Sequence, residues 1–166
     1  MWWAIETVGD FKKRENMFLT KEELGSVMYG YQITQITQGD DAVILQAIAA
    51  AIVEVKSYLT ANNKKEWSDG RLQYDVNAIF SAEGNHRNPL ILEVTKTVSK
   101  WWIVQLCNAD VIYEQAKERY DRAIQWLTKL SKGTVNLEDL AQLDSNASTT
   151  ERQPFSSGSR AKFNHE

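Results

Sequence analysis

The chain has 166 residues, 43% hydrophobic and 25% charged, which is enough for one self-supporting core and too apolar for wholesale disorder. A net charge of -3 provides no positive field of the kind that gathers nucleic acid or anionic membrane. Cys107 is the single cysteine, so an intrachain disulfide and the small secreted scaffold are both excluded and a reducing, cytoplasmic origin is expected.

Residues 1 to 16 spread Trp2, Trp3, Ile5, Val8 and Phe11 among charges and close on Lys12, Lys13, Arg14 and Glu15. Without a charged start, an apolar run and a small-residue cleavage site, this leader does not read as a signal peptide. Thr20 followed by Glu23 forms a capping-box pattern that predicts a helix over Lys21 to Met28, punctuated by Gly30 and Gly39.

The next helix is the clearest local signal. Asp40 or Asp41 caps it, and Leu45, Ile48, Ile52, Val55 and Leu59 recur at helical spacing before Asn62 and Asn63 end it. Ala47, Ala49, Ala50 and Ala51 add helix formers of little bulk, so a neighbouring helix can come close. The most apolar stretch, Ala42 to Val55, is interrupted by Gln46 and Glu54 and is too short to cross a bilayer, so no membrane partner is expected.

Between Lys64 and Asn88 the periodicity fails. Asp69-Gly70, Gly84-Asn85 and Asn88-Pro89 are turn signals around the short runs Leu72 to Tyr74 and Val76 to Phe80, which predicts a long loop or a small β-hairpin. Pro89 suits the first turn of a third helix, whose stripe is Ile91, Val94, Val98, Trp101 or Trp102, and Leu106. A fourth helix from about Asp110 shows Ile112, Ala116, Tyr120, Ala123, Leu127 and Leu130 on one face, and Gly133 stops it beyond Lys129 and Lys132. Val135, Leu137 and Leu140 give a short apolar segment.

The expected fold is therefore all-α: a four-helix bundle-like domain over 17-140, preceded by the leader and followed by an extended C-terminal tail over 141-166 rich in Ser, Thr, Asn and Gln.

The chemistry-bearing residues are sparse. His165 is penultimate, and His86, near Glu83 and Asn85, is the one serious histidine; zinc needs three or four converging ligands, and no such spacing is present. Cys107 ends an apolar helix, where a cysteine is usually a small buried hydrophobe. Asp40, Asp41 and Asp69 lie at helix starts and turns, where capping explains them. No glycine-rich phosphate loop occurs. No catalytic activity, metal or cofactor is expected. Lys117, Arg119, Arg122, Lys129 and Lys132 form a basic series, but Glu114, Glu118 and Asp121 alternate with them, as in a solvated face or a contact between subunits. Six tryptophans are many for a core of this size, so some are candidates for protein interfaces.

Three segments carry a resemblance: MFLTKEEL at Met17 to Leu24, the alanine-rich helix ending VEVKSYL, and ERYDRAIQWLTKLSKGTVNL at Glu118 to Leu137. Together they resemble the Mu-type head-to-tail connector family of tailed phages, over about residues 17 to 140. In the last segment the matching positions are Arg119, Tyr120, Ala123, Ile124, Trp126, Leu127, Lys132 and Gly133. The serine-rich Ser156 to Phe163 is similar in character to that family's tails, while the 64-88 stretch is longer than the family's loop and residues 1-16 precede its usual start. The resemblance implies a structural virion protein at the neck: an adaptor forming a ring, dodecameric in order, beneath the portal protein and bound to tail or stopper proteins. DNA passes through such a ring without sequence-specific binding. Within that reading Glu118 and Arg122 make lateral ring contacts, and Phe155, Arg160 and Phe163 dock to the portal. The alternatives are a DNA-binding helical packaging module, a stopper or tail-completion protein, and a small enzyme using His86 with a nearby carboxylate.

Overall fold

The structure, a computed structural model, describes residues 18-64, 71-107, 109 and 112-143. It is mostly helical, and no strand forms among the described residues beyond one isolated bridge. In chain order, a 3-10 turn over Glu22–Ser26 precedes α1 (Gly30–Thr37), α2 (Asp41–Asn63) and α3 (Val76–Ser81); a second 3-10 turn, Gly84–His86, leads into α4 (Pro89–Leu106) and α5 (Tyr113–Ser131).

The three long helices α2, α4 and α5 each pack against the other two. Each has a local boundary signal: a capped start for α2 and α4, and a stop for α5, whose N-cap Ile112 makes no side-chain cap. The Asp40 carboxylate accepts the Ala42 N–H at 2.8 Å at the head of α2, and Asn88 accepts from Leu90 and Ile91 at 3.0 and 3.1 Å while Pro89 supplies a first-turn residue with no N–H to satisfy. α5 stops at Gly133, whose φ of +71° suits glycine, with Gly133 N–H on Leu130 and Thr134 N–H on Lys129.

On α2 the buried side chains are Ile44, Ala47, Ile48, Ala51, Val55 and Leu59. The expected stripe is thus rotated slightly, with Leu45 and Ile52 at its half-buried margin. Of the alanines, Ala47 and Ala51 face inward and Ala49 outward. α4 is the most enclosed element: besides Ile91, Val94, Val98, Ile103 and Val104 it buries Thr95, Lys96, Ser99 and Lys100. The hydroxyls of Thr95 and Ser99 donate to the carbonyls of Ile91 and Thr95, one turn back, so their burial leaves no lost hydrogen bond.

The expected helix over Lys21 to Met28 is corrected to the five-residue turn Glu22–Ser26. Half of the capping box exists, with Thr20 N–H donating to Glu23 Oε2 at 3.0 Å. Gly25 weakens the run, and Glu23 divides its carboxylate between Thr20 and Arg87. α1 is an addition: GYQITQIT holds glycine and β-branched residues with low helix propensity, and it is kept helical by the burial of Ile33 and Thr37.

The expected hairpin or long loop before Asn88 is also corrected for the described part. Val76–Ser81 is a helix capped by Asp75, which accepts the Ala78 N–H at 2.9 Å. Tyr74 instead bridges antiparallel to Gln142, through Asp75 N–H to the Ala141 carbonyl (2.8 Å) and Leu143 N–H to the Gln73 carbonyl (2.9 Å). Leu140 is buried, so the apolar segment after α5 folds back on the bundle.

Candidate interaction surface

The residues singled out by sequence fall into separate places. Phe155, Arg160 and Phe163 lie outside the described residues, as do Trp2, Trp3, Trp67, Asp69 and His165. Glu118 and Arg122 are well exposed on the outer face of α5 and form an ion pair with each other, one turn apart. Around them Glu114, Lys117, Arg119, Asp121 and Lys129 are exposed too, so the amphipathic pattern of α5 resolves into a face of mixed charge opposite buried Ala116, Ala123, Leu127 and Leu130.

His86 is exposed on the second 3-10 turn. It lines an open cleft of about 450 Å³ with Arg87, Asp139, Ile79, Leu137 and Leu140. Glu83 does not line it, and the Arg87 guanidinium is engaged elsewhere. Among the described residues no three His, Cys, Asp or Glu side chains group as metal ligands do. Asp40 is a helix cap, and Asp41 pairs with Lys21 at 2.7 Å. Cys107 is half-buried at the end of α4, where burial pushes its thiol above the ordinary value and keeps it protonated.

Two polar joints were not anticipated from sequence. Glu54 of α2 accepts from Trp102 Nε1–H of α4 at 2.8 Å and from the Tyr120 hydroxyl of α5 at 2.6 Å, so one carboxylate ties all three long helices. Trp101 stacks on Tyr120 with ring centroids 5.0 Å apart and meets Tyr113 at 5.3 Å. Burial first, and then the bond to Glu54, raise the Tyr120 hydroxyl's pKa above the usual tyrosine range. The sequence signal was a lone carboxylate within an otherwise apolar stretch.

The second joint is Arg87, which donates to the Phe18 carbonyl at 2.8 Å and to both oxygens of Glu23, at 2.9 Å for Oε2. The Arg87 guanidinium lowers the Glu23 carboxyl to about 2; burial opposes the shift, and the Thr20 N–H adds to it. Lys100 donates to the Val27 carbonyl at 3.2 Å, and its burial and then the charge of Arg119 depress its pKa.

By length and composition α2 is a helix apolar enough to cross a membrane, a test that core helices also pass, and 33% of its apolar window is buried. No family model, curated protein or solved structure matches the chain.

Proposed function

We propose that the chain is a head-to-tail adaptor of a tailed phage, one subunit of a dodecameric ring at the virion neck between the portal and the tail or stopper proteins. The observation that carries this reading is the way the segment resembling the connector family, Glu118 to Leu137, divides. Its apolar positions Ala123 and Leu127 are buried, Tyr120, Ile124 and Trp126 are half-buried, and Glu118, Arg119 and Arg122 face outward with both signs of charge. A head-to-tail ring contact needs two unlike patches that complement each other, and mixed charge on a rigid helix is suited to that. The Glu118–Arg122 pair is exposed and worth only about 0.3–0.5 kcal/mol within its own helix, so exchanging it for partners on a neighbour costs little.

Co-sedimentation with the portal ring of the same virion tests this reading. Glu118→Arg is expected to weaken association at least tenfold while changing the melting free energy by less than about 0.5 kcal/mol, and Arg160→Ala with Phe163→Ala should abolish attachment with helicity intact. Unchanged association in both variants would count against an adaptor. The exposed Lys117, Arg119, Arg122 and Lys129 favour a second reading, a DNA-binding packaging module. Its mark is a duplex mobility shift that weakens steeply with salt. A stopper or tail-completion protein would bind the assembled neck but not the bare portal.

A further inference from the structure

The outward face of α2 has a composition unlike the rest of the surface. Ala42, Gln46, Ala49, Val53, Ser57 and Ala61 recur every three or four residues, all are exposed, and none is charged. That is a strip of about 29 Å at 1.5 Å per residue. α2 contains only three charged residues, and each is committed at the margin: Asp41 to Lys21, Glu54 to Trp102 and Tyr120, and Lys56 over the ring of Phe80 at 5.2 Å. Val53, 67% exposed, lies at the middle of the strip. A strip of small, uncharged side chains along the length of this helix, with the exposed Val53 at its centre, is a face on which apolar groups can settle without displacing a charge.

Three occupants compete: a second copy, a lipid surface, and the chain's own residues 1-17. The place where the described chain begins decides among them. Phe18 packs on Phe80 with ring centroids 4.7 Å apart, and Lys56 lies over that same Phe80 ring, so residue 18 starts beside the flank of the strip. Just upstream, residues 2-11 hold five large apolar side chains, Trp2, Trp3, Ile5, Val8 and Phe11. Residues 12-17 can span up to about 20 Å, enough to carry that group to the middle of α2. A short tether also gives an effective concentration in the millimolar range, which a second copy in dilute solution does not reach.

We infer that the uncharged outer face of α2, centred on Val53, is the docking surface for the chain's own apolar N-terminal residues Trp2 to Phe11. This holds independently of the adaptor reading. Small side chains at Ala42, Ala49 and Ala61 leave room for indole and phenyl rings, each able to bury roughly 150–250 Å².

The test uses the full chain with Cys107→Ala and Val53→Cys, and reads the rate at which the introduced thiol is alkylated. The expected result is protection of at least tenfold relative to the same protein carrying Trp2→Ser, Trp3→Ser and Ile5→Ser, at every protein concentration. A shortened chain lacking residues 1-12 should match the serine variant, with far-UV dichroism checking that both keep their helices. Equal, fast alkylation in all three overturns the proposal. So does protection that grows with protein concentration, which would mark a second copy, or protection that needs added neutral lipid vesicles.

Discussion

The triangle of α2, α4 and α5 and the shell around it, residues 18-37 with 71-88 and 134-143, are held by different means. The triangle rests on continuous apolar burial, with Ile48, Val55, Leu59, Ile91, Val98 and Leu127 all fully inaccessible, and a single carboxylate joint at Glu54. The shell buries fewer side chains and depends on individual polar fasteners that span long sequence distances. Arg87 holds Phe18 and Glu23, Asn63 exchanges hydrogen bonds with Tyr74 at 2.7 and 2.9 Å, and the Tyr74 hydroxyl accepts the Leu137 N–H at 2.9 Å. Arg71 donates to the last carbonyls of α5 at 3.0 and 2.6 Å, over the spot where a side chain on Gly133 would stand. Burial is spread over many contacts and fails all at once, whereas a fastener fails alone, so the shell should loosen in pieces while the triangle persists.

The largest effect that would break this contrast is expected in the triangle. Ile48→Ala removes a fully buried side chain from the interior face of α2 and should cost about 2–5 kcal/mol, lowering the midpoint of a single cooperative urea transition for the whole domain. Loss confined to the shell would refute the division.

An intermediate effect is expected at the Arg87 joint. The Glu23 carboxyl lies at about 2 against an ordinary 4.5, so its contribution is fully present above pH 4.5 and disappears as the pH falls toward 2. Part of the pair is open to water, which limits the contribution to about 1–2 kcal/mol. Amide exchange protection in residues 18-37 should therefore fall over that window faster than protection in α5. Glu23→Gln should already lower protection of residues 18-37 at neutral pH and abolish their steeper decline in acid, and equal decline in both regions of the unaltered chain would show that the joint does not matter.

The smallest effect sharpens the comparison from inside the triangle. Tyr120→Phe deletes one donor to Glu54 and leaves the Trp102 bond in place, so it should cost about 1 kcal/mol in chemical denaturation. A cost near that of Ile48→Ala would mean that the triangle, too, hangs on a single fastener.

The same division explains what could be read from the sequence. α2, α4 and α5 were legible because an apolar stripe and at least one boundary signal act within each segment: the Asp40 cap, Asn88 with Pro89, and the Gly133 stop. The shell was not, because its determinants are distant. Tyr74 finds its bridge partner at Gln142, and Glu23 accepts from Arg87 as well as from Thr20, so neither distant pairing leaves a nearby trace. α3 did show helical spacing at Val76, Ile79 and Phe80, but six residues between turn signals fit a strand as well. On the candidate surface, the charged face of α5 followed directly from periodicity, while the pairing of Glu118 with Arg122 is the i, i+4 contact that the helix dictates.

The enclosure of α4 bears on how the protein is made. Its neighbours come from both directions along the chain, the 22-26 turn and α2 before it and α5 after it. During translation α5 is the last of these helices to leave the ribosome. Until it does, the nascent chain must carry the uncovered flanks of α2 and α4 in water, the stage at which binding by a chaperone would be of most use.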